Sequence, residues 1–443
     1  MIELNLVLLC VLIGLVGVVF ATIVSLIPGL HIYSILGFVV LFLLNLDEEV
    51  DPMLFSSLTV SMLIGYCLGS CISATFFQTP DDSSIFMVFP SQKYLADGRG
   101  YEAVYITALG AVIGAVISCL LIIFAADFLV DFVDLIVEHS LWIIATGMLF
   151  VWMSEWPKDP ARKKKRWKNL AAAWVQLGMG LVTIIASGIL GIYLFFSQLV
   201  PPERSFQGLA AAFVGLFAFP SLIQNLFSSK KVPDQYHGKS VELTRSDIVQ
   251  GTAAGVIGGA IGMMVPSLTA GVGNTFSRHA VAQSGDKSFL FSQGLSRTVY
   301  YVGAVLLLFI PGVVIRRGGA ALFISMFYLP ETRGELLIIA AVVLVASAAG
   351  WYIFTLILKG VTKIVHRINT RYVSLIGIII MLLLTYYMLG LSGLMILVIA
   401  TFIGAIPLVY NTRRIHCIGV ITIPIMLSMA GLTPIVCQIF GIA

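Results

Sequence analysis

The sequence predicts an all-α protein that crosses a lipid bilayer many times, and three observations carry that prediction. Of its 443 residues, 59% are hydrophobic and only 11% are charged, where soluble domains carry about 25%. The mean hydropathy is +1.02. Nearly uncharged stretches of about 20 residues, each long enough to cross a hydrocarbon core of about 30 Å, recur from one end of the chain to the other. This composition excludes a soluble enzyme, a nucleic-acid binder and a single-span receptor. The net charge of +4 comes from basic clusters between apolar segments, so it reports loop charge and predicts no nucleic-acid partner.

The elements follow in order. The opening Met1–Gly17 stretch has no positive n-region and no small-residue cleavage site, so it reads as a first span and not as a signal peptide. Apolar segments run at 4–46, 53–79, 101–126, 140–154, 170–196 and 208–227, then at 248–283, 288–315, 335–358, 372–389, 391–410 and 417–441. Two are interrupted, at Ile27-Pro28-Gly29-Leu30-His31 and at Val265-Pro266-Ser267-Leu268-Thr269. Counting those as helix pairs gives about 12–14 membrane elements, some of them interrupted or re-entrant. Cys10, Cys67, Cys71, Cys119, Cys417 and Cys437 all fall in apolar stretches and read as buried thiols. The histidines form no metal-ligand spacing.

Loop charge orients the spans. Lys158 to Lys168 holds seven basic residues, which places this loop in the cytoplasm of a multi-pass protein of the cell membrane. Lys359 to Arg371 and Arg413-Arg414 form further basic loops, whereas Asp47-Glu48-Glu49 and Asp127 to Glu138 carry acid alone. Trp152, Trp156, Trp167 and Trp174 flank the Lys158–Lys168 loop as an interfacial aromatic belt would. Asp127, Asp131, Asp134 and Glu138 are spaced 4, 3 and 4, one face of an amphipathic helix that is expected to lie at the outer surface.

Two regions share a design. Gly14 through the Pro28 break to the span at 53–79 and its Thr79-Pro80 break parallels Gly251 through the Pro266 break to the span at 288–310 and its Pro311 break. Proline removes a backbone donor and disfavours helix before it, so each site interrupts a membrane helix. In the orientation above, the first region begins outside after Glu3, and the second begins inside after Lys230, Lys231 and Arg245. Opposed copies are inverted repeats, which point to a secondary transporter with its site near the midplane. The chain therefore divides into a first repeat (1–126), a linking region (127–247), a second repeat (248–358) and C-terminal spans (359–443). Gly251, Gly255, Gly258, Gly259 and Gly262, together with the Gly65–Gly69 and Gly110–Gly114 pairs, supply small faces on which helices can pack closely.

The stretch from Gly65 to Val116 resembles the large permease of the tripartite tricarboxylate transporters, the TctA family. The resemblance is carried by Thr79-Pro80, Ser83-Ser84, Phe89-Pro90, Gly98, Gly100, Ala103, Gly110 and Gly114. It extends through Ile27-Pro28-Gly29-Leu30 and Ile310-Pro311-Gly312. His31 stands in place of the family's second signature glycine, Gln78 in place of asparagine, and Asp81-Asp82 in place of a Gly-Thr pair. The stretch from Gly294 to Tyr301, with Arg297, lies where the family carries Pro-Glu and paired asparagines. The resemblance implies transport of an organic anion such as a carboxylate. It also implies a small membrane subunit and a substrate-binding protein as partners, unless this divergent member works alone.

Candidate chemistry gathers at the breaks. Pro28, Gly29 and His31, Ser267 and Thr269, and Thr79, Ser83 and Ser84 would meet the substrate at half-helix tips, whose free N–H groups suit an anion. Asn274 and Thr275 would line the same cavity. Arg297, about ten residues into its span, has the guanidinium fork that binds carboxylate or phosphate, or else it forms an ion pair with an acid such as Asp82. Asp81 and Asp82 are the ion-coupling candidates, holding Na⁺ with the neighbouring hydroxyls or taking up a proton; otherwise they cap the next helix. His31 is a hydrogen-bonded tip residue, a substrate contact or a proton acceptor. The function expected is alternating-access transport coupled to Na⁺ or H⁺, with no other cofactor and no enzymatic activity. A flippase for a lipid or polyisoprenyl-phosphate headgroup is the alternative, and an intramembrane enzyme the lower one, since no HExxH or GxSxG signature is present.

Overall fold

The computed structural model describes residues 4–44, 50–156, 166–228, 231–236, 241–311, 313 and 318–442. They form helices α1 (Leu4–Val24), α2 (Ile32–Leu44), α3 (Pro52–Phe76), α4 (Val88–Ala96), α5 (Gly100–Phe124), α6 (Ala126–Met153), α7 (Arg166–Phe196), α8 (Ser205–Phe213) and α9 (Phe219–Phe227). These are followed by α10 (Arg245–Met264), α11 (Ala270–Ala280), α12 (Asp286–Leu308), α13 (Gly319–Ser325), α14 (Arg333–Ile364), α15 (Thr370–Tyr410), α16 (Gly419–Met429) and α17 (Thr433–Phe440). Among the described residues there is no strand. Seven of the described helical stretches, including the continuous Pro202–Phe227 rod through a π-turn at Val214–Ala218, are long and apolar enough to cross a membrane. The chain is thus an all-α polytopic membrane protein.

Local chemistry sets the ends of these helices. Asp51 caps α3 by accepting from the Met53 N–H at 2.7 Å, with Pro52 already at the helical φ. Thr244 with Asp247 and Thr332 with Glu335 form capping boxes for α10 and α14. The predicted interruptions at 27–31 and 265–269 fall between α1 and α2 and between α10 and α11, and α3 ends just before Pro80. Gly29 takes φ +87°, and Gln78 and Ser267 take φ +57° and +61°, left-handed turns that cost a residue with a Cβ about 1–2 kcal/mol.

Helices α3 and α12 form the centre. The apolar window of α3 is 94% buried, against 28% for α15, whose exposed leucines, isoleucines and tyrosines face outward as lipid-facing residues do. Around this centre α1 packs on α3, α10 packs on α12, and α5 wedges against both. The glycines explain the closeness, because a Cβ on Gly65 would sit 2.5 Å from the Val18 carbonyl oxygen. One on Gly110 would sit 2.1 Å from that of Phe291, and one on Gly294 only 1.8 Å from that of Thr107. Backbones touch here, as small-residue faces permit. The hairpin α10–α11 closes in the same way, Gly273 against Gly258, whereas α2 turns onto α8.

The segments at 372–389 and 391–410 are joined within α15, where Gly390 (φ 63°, ψ −144°) breaks the helix. Gly377 meets Leu222 and Arg204 donates to the Met388 carbonyl, after which Gly215 meets Ala400 and Arg414 reaches Ser221. The two halves therefore run in opposite directions along α8 and α9. One expectation is corrected. The acidic face at Asp127, Asp131, Asp134 and Glu138 is helical and exposed, but α6 continues unbroken from Ala126 to Met153. It is the first half of one long helix and not a separate surface helix, because no breaker follows Glu138; Ser140 instead donates back to the Ile136 carbonyl.

Most of the Lys158–Lys168 loop, Asp47, Glu48, Glu49, Lys230 and Gly312 lie outside the described residues. At the edge of that loop Trp156 and Trp174 pack edge-to-face at 5.8 Å. Cys10, Cys67, Cys71, Cys119 and Cys417 are buried free thiols, and Cys437 is half-buried.

Candidate functional site

The cluster assembles where the first break, the Thr79–Ser84 turn and the middle of α12 converge. Along α3, Tyr66, Ser70 and Ser73 recur at helical spacing and form a polar stripe that lines the same small cavity as that turn. Asp81 is the hub. Its Oδ1 accepts from the Ser84 N–H at 2.7 Å, the Ser84 hydroxyl at 2.5 Å and the Ser83 hydroxyl at 3.0 Å. Its Oδ2 accepts from the Tyr66 hydroxyl at 2.7 Å and from Nη2 of Arg297.

Arg297 spends its remaining donors nearby. Nε donates to the Ser83 hydroxyl at 3.0 Å, Nη1 donates to the Ser70 hydroxyl at 2.7 Å, and the guanidinium lies 4.7 Å from the centre of the Tyr66 ring. Side-chain exposure is 2% for Arg297 and 6% for Asp81, so this pair is held out of water. The ion pair anticipated for Arg297 exists, with Asp81 as its partner in place of Asp82.

Asp82 instead meets His31. The His31 Nδ1 accepts from the Tyr33 N–H at 3.2 Å, which leaves the ring proton on Nε2 to donate to Asp82 Oδ1 at 2.9 Å. The ring stacks on Phe213 at 5.1 Å and meets Tyr33 edge-on at 4.7 Å. In this tautomer His31 is uncharged, so two carboxylates share one guanidinium. The His31 ring and the Asp81 and Asp82 carboxylates lie within 4.8 Å of one another; with both ring nitrogens of His31 engaged, the carboxylate oxygens are the donors that can hold a small cation. Thr269, at the second break, donates to the Asp82 carbonyl at 3.3 Å, tying the two tips together.

A cavity of about 10 Å³ opens against Gly29, His31, Thr79, Asp81, Ser84 and the Tyr66 and Phe213 rings. That is room for one water molecule or one monatomic cation, and too little for a carboxylate. Of the residues expected at the site, Gly29, His31, Thr79, Asp81, Asp82, Ser83, Ser84, Thr269 and Arg297 come together. Asn274 points elsewhere, donating to Ser292 at 3.1 Å between α11 and α12, and Thr275 faces a separate, larger cavity. The Pro28 carbonyl lies against Gly377, and the Ser267 hydroxyl is buried without a hydrogen-bond partner.

Sequence reasoning missed Tyr66, Ser70, Tyr33 and Tyr301, the last within 3.2 Å of the Ser83 hydroxyl. The 4 and 3 spacing of Tyr66, Ser70 and Ser73 in an apolar span is the signal that could have found two of them. Tyr66→Phe is expected to lower stability by about 2 kcal/mol, the worth of a hydrogen bond to a buried charge. Thermal unfolding of the solubilised protein, set against Tyr386→Phe on the exposed face of α15, measures it; equal melting temperatures would refute the role given to Tyr66.

Comparison with known proteins follows the same line. Residues 11–419 match the model of the tripartite tricarboxylate transporter TctA family. The uncharacterized protein MJ1079 of Methanocaldococcus jannaschii is 23% identical over 424 residues, spanning 93% of this chain and 97% of that one. No solved structure matches.

Proposed function

Because the chain belongs to the tripartite tricarboxylate transporter TctA family and is therefore a secondary active transporter of small organic anions and not an enzyme, we propose that it couples a carboxylate to a cation at the Asp81–Asp82–His31–Arg297 cluster. The observation that carries this reading is the charge count: two buried carboxylates, one guanidinium and a neutral imidazole beside a space for one small ion. An excess negative charge in a low-dielectric interior is costly unless compensated, and Na⁺ or H⁺ compensates it. Arg297 is then the substrate's anchor, held by Asp81 until a carboxylate takes over the guanidinium.

The reading extends to architecture. Regions 1–126 and 248–358 act as inverted repeats, supported by the matched pairing of α1 with α3 and of α10 with α12 and by the two broken tips that meet at Asp82. The Lys158–Lys168 loop faces the cytoplasm, and alternating access moves the tips relative to the surrounding spans. Half-helix ends at 28–31 and 266–275 line the path. A small membrane subunit and a binding protein are the partners that the family suggests.

Proteoliposomes test this directly. Uptake of labelled succinate or citrate is expected to rise at least tenfold under an inward Na⁺ or proton gradient and to collapse when that gradient is dissipated. If no carboxylate moves under any gradient while a fluorescent lipid headgroup crosses, the flippase alternative replaces this reading.

A further inference from the structure

An open vestibule of about 1490 Å³ lies beside the buried cluster. Ile85, Phe86 and Thr275 line it. Ile85 follows Ser84 directly, and Thr275 is one turn from Gly271, which abuts the Asp82 and Ser83 carbonyls. The vestibule therefore neighbours the ion cluster through Ile85 and through α11.

Its walls are basic, and the bases come from distant parts of the chain. Arg278 and His279 stand at the end of α11, and Arg413 and Arg414 follow α15. The two acids on the wall are already engaged. Glu155 accepts from the Arg413 N–H at 2.7 Å and pairs with His416 at 2.9 Å, while Asp286 pairs with Lys93 at 2.8 Å. Among the described residues neither Arg278 nor Arg414 has an acidic partner. Arg278 lies 4.8 Å from the centre of the Phe289 ring, and Arg414 donates to the Ser221 hydroxyl.

An arginine at a helix end commonly serves the helix dipole or a lipid headgroup, and Arg278 alone would fit that. Arg414 does not, because it is half-buried and lines the same cavity from the segment after α15, far from α11 in the chain. Two guanidinium forks with donors to spare, facing one space of this size, suit a small oxyanion with more than one acidic group.

We propose that the vestibule is a second anion site, which holds a free di- or tricarboxylate between Arg278 and Arg414 on its way to or from the buried cluster. It rests on the anion-transport reading. Trp156 lines the vestibule and reports on it. In nanodiscs of phosphatidylcholine, titration with succinate and with citrate is expected to give a saturable heat and a saturable change in tryptophan fluorescence, the latter lost in Trp156→Phe. Arg278→Gln and Arg414→Gln should each weaken binding about tenfold or more, as loss of a charged hydrogen-bond donor does. Arg278→Lys and Arg414→Lys should retain part of it.

The site is overturned if neither heat nor fluorescence saturates, if both Gln variants bind like the parent, or if the fluorescence change persists in Trp156→Phe. It is overturned in favour of a lipid headgroup if phosphatidylglycerol in the disc abolishes carboxylate binding at every concentration tested. Gradient-driven uptake by the parent separates the two readings. Intact uptake without vestibule binding removes only the second site, and vestibule binding without uptake under any gradient removes the transport reading while the site stands.

Discussion

Arg297→Gln is expected to abolish uptake and to destabilise the solubilised protein by about 3–5 kcal/mol, the cost of stripping one partner from a buried ion pair. Among the described residues its guanidinium is the one positive group in contact with Asp81, and it also donates to Ser70 and Ser83. Without it, Asp81 keeps the Ser83, Ser84 and Tyr66 donors but loses its counter-charge. The double variant Arg297→Gln with Asp81→Asn replaces the pair by neutral groups of similar shape, and it should regain most of the stability and none of the transport. A thermal-unfolding cycle over the four proteins isolates the coupling. If the two single losses simply add, Asp81 and Arg297 do not act as a pair.

Among the described glycines, Gly294→Ala should be the most damaging single methyl. The added Cβ would lie 1.8 Å from the Thr107 carbonyl oxygen and 2.7 Å from its carbon. Backbone on one helix cannot retreat as a flexible side chain can, so α5 and α12 would have to separate and carry Arg297 away from Ser70. Overpacking of this kind costs about 3 kcal/mol or more. Gly178→Ala on α7, where a Cβ meets nothing within 4 Å, is the matched control and is expected to be silent. Detergent-solubilised yield and melting temperature compare them; equal behaviour of the two variants would mean that the α5–α12 contact is not tight.

Much of the site was visible as anomaly. In a chain with so little charge, Asp81, Asp82 and Arg297 stand out within apolar surroundings, and His31 stands beside a proline break. The partners were not visible. Asp81 and Asp82 are adjacent, and sequence offers no reason to give Arg297 to one and His31 to the other. The turn decides it: Gln78 enters at positive φ, the Ser84 N–H and hydroxyl pin Asp81 Oδ1, and Asp82 is left facing the first tip. Asn274 and Thr275 show the same limit. One step along a helix rotates a side chain by about 100°, which sends Asn274 to Ser292 and Thr275 into the vestibule.

Hydropathy, proline and glycine are local properties, and from them the amino-acid order alone established a polytopic helical membrane protein, the positions of its broken helices and its family likeness. Each follows from how a short segment meets a bilayer or fails to continue a helix, so no distant residue needs to be known. The pairing of Asp81 with Arg297, the neutral His31, the ion-sized space among them and the basic vestibule behind them depend on residues as far apart as Arg278 and Arg414 or Tyr66 and Tyr301. Those contacts exist only once glycine-lined helices have packed backbone to backbone, and the directions in which side chains then point are set by that packing and not by the segments themselves.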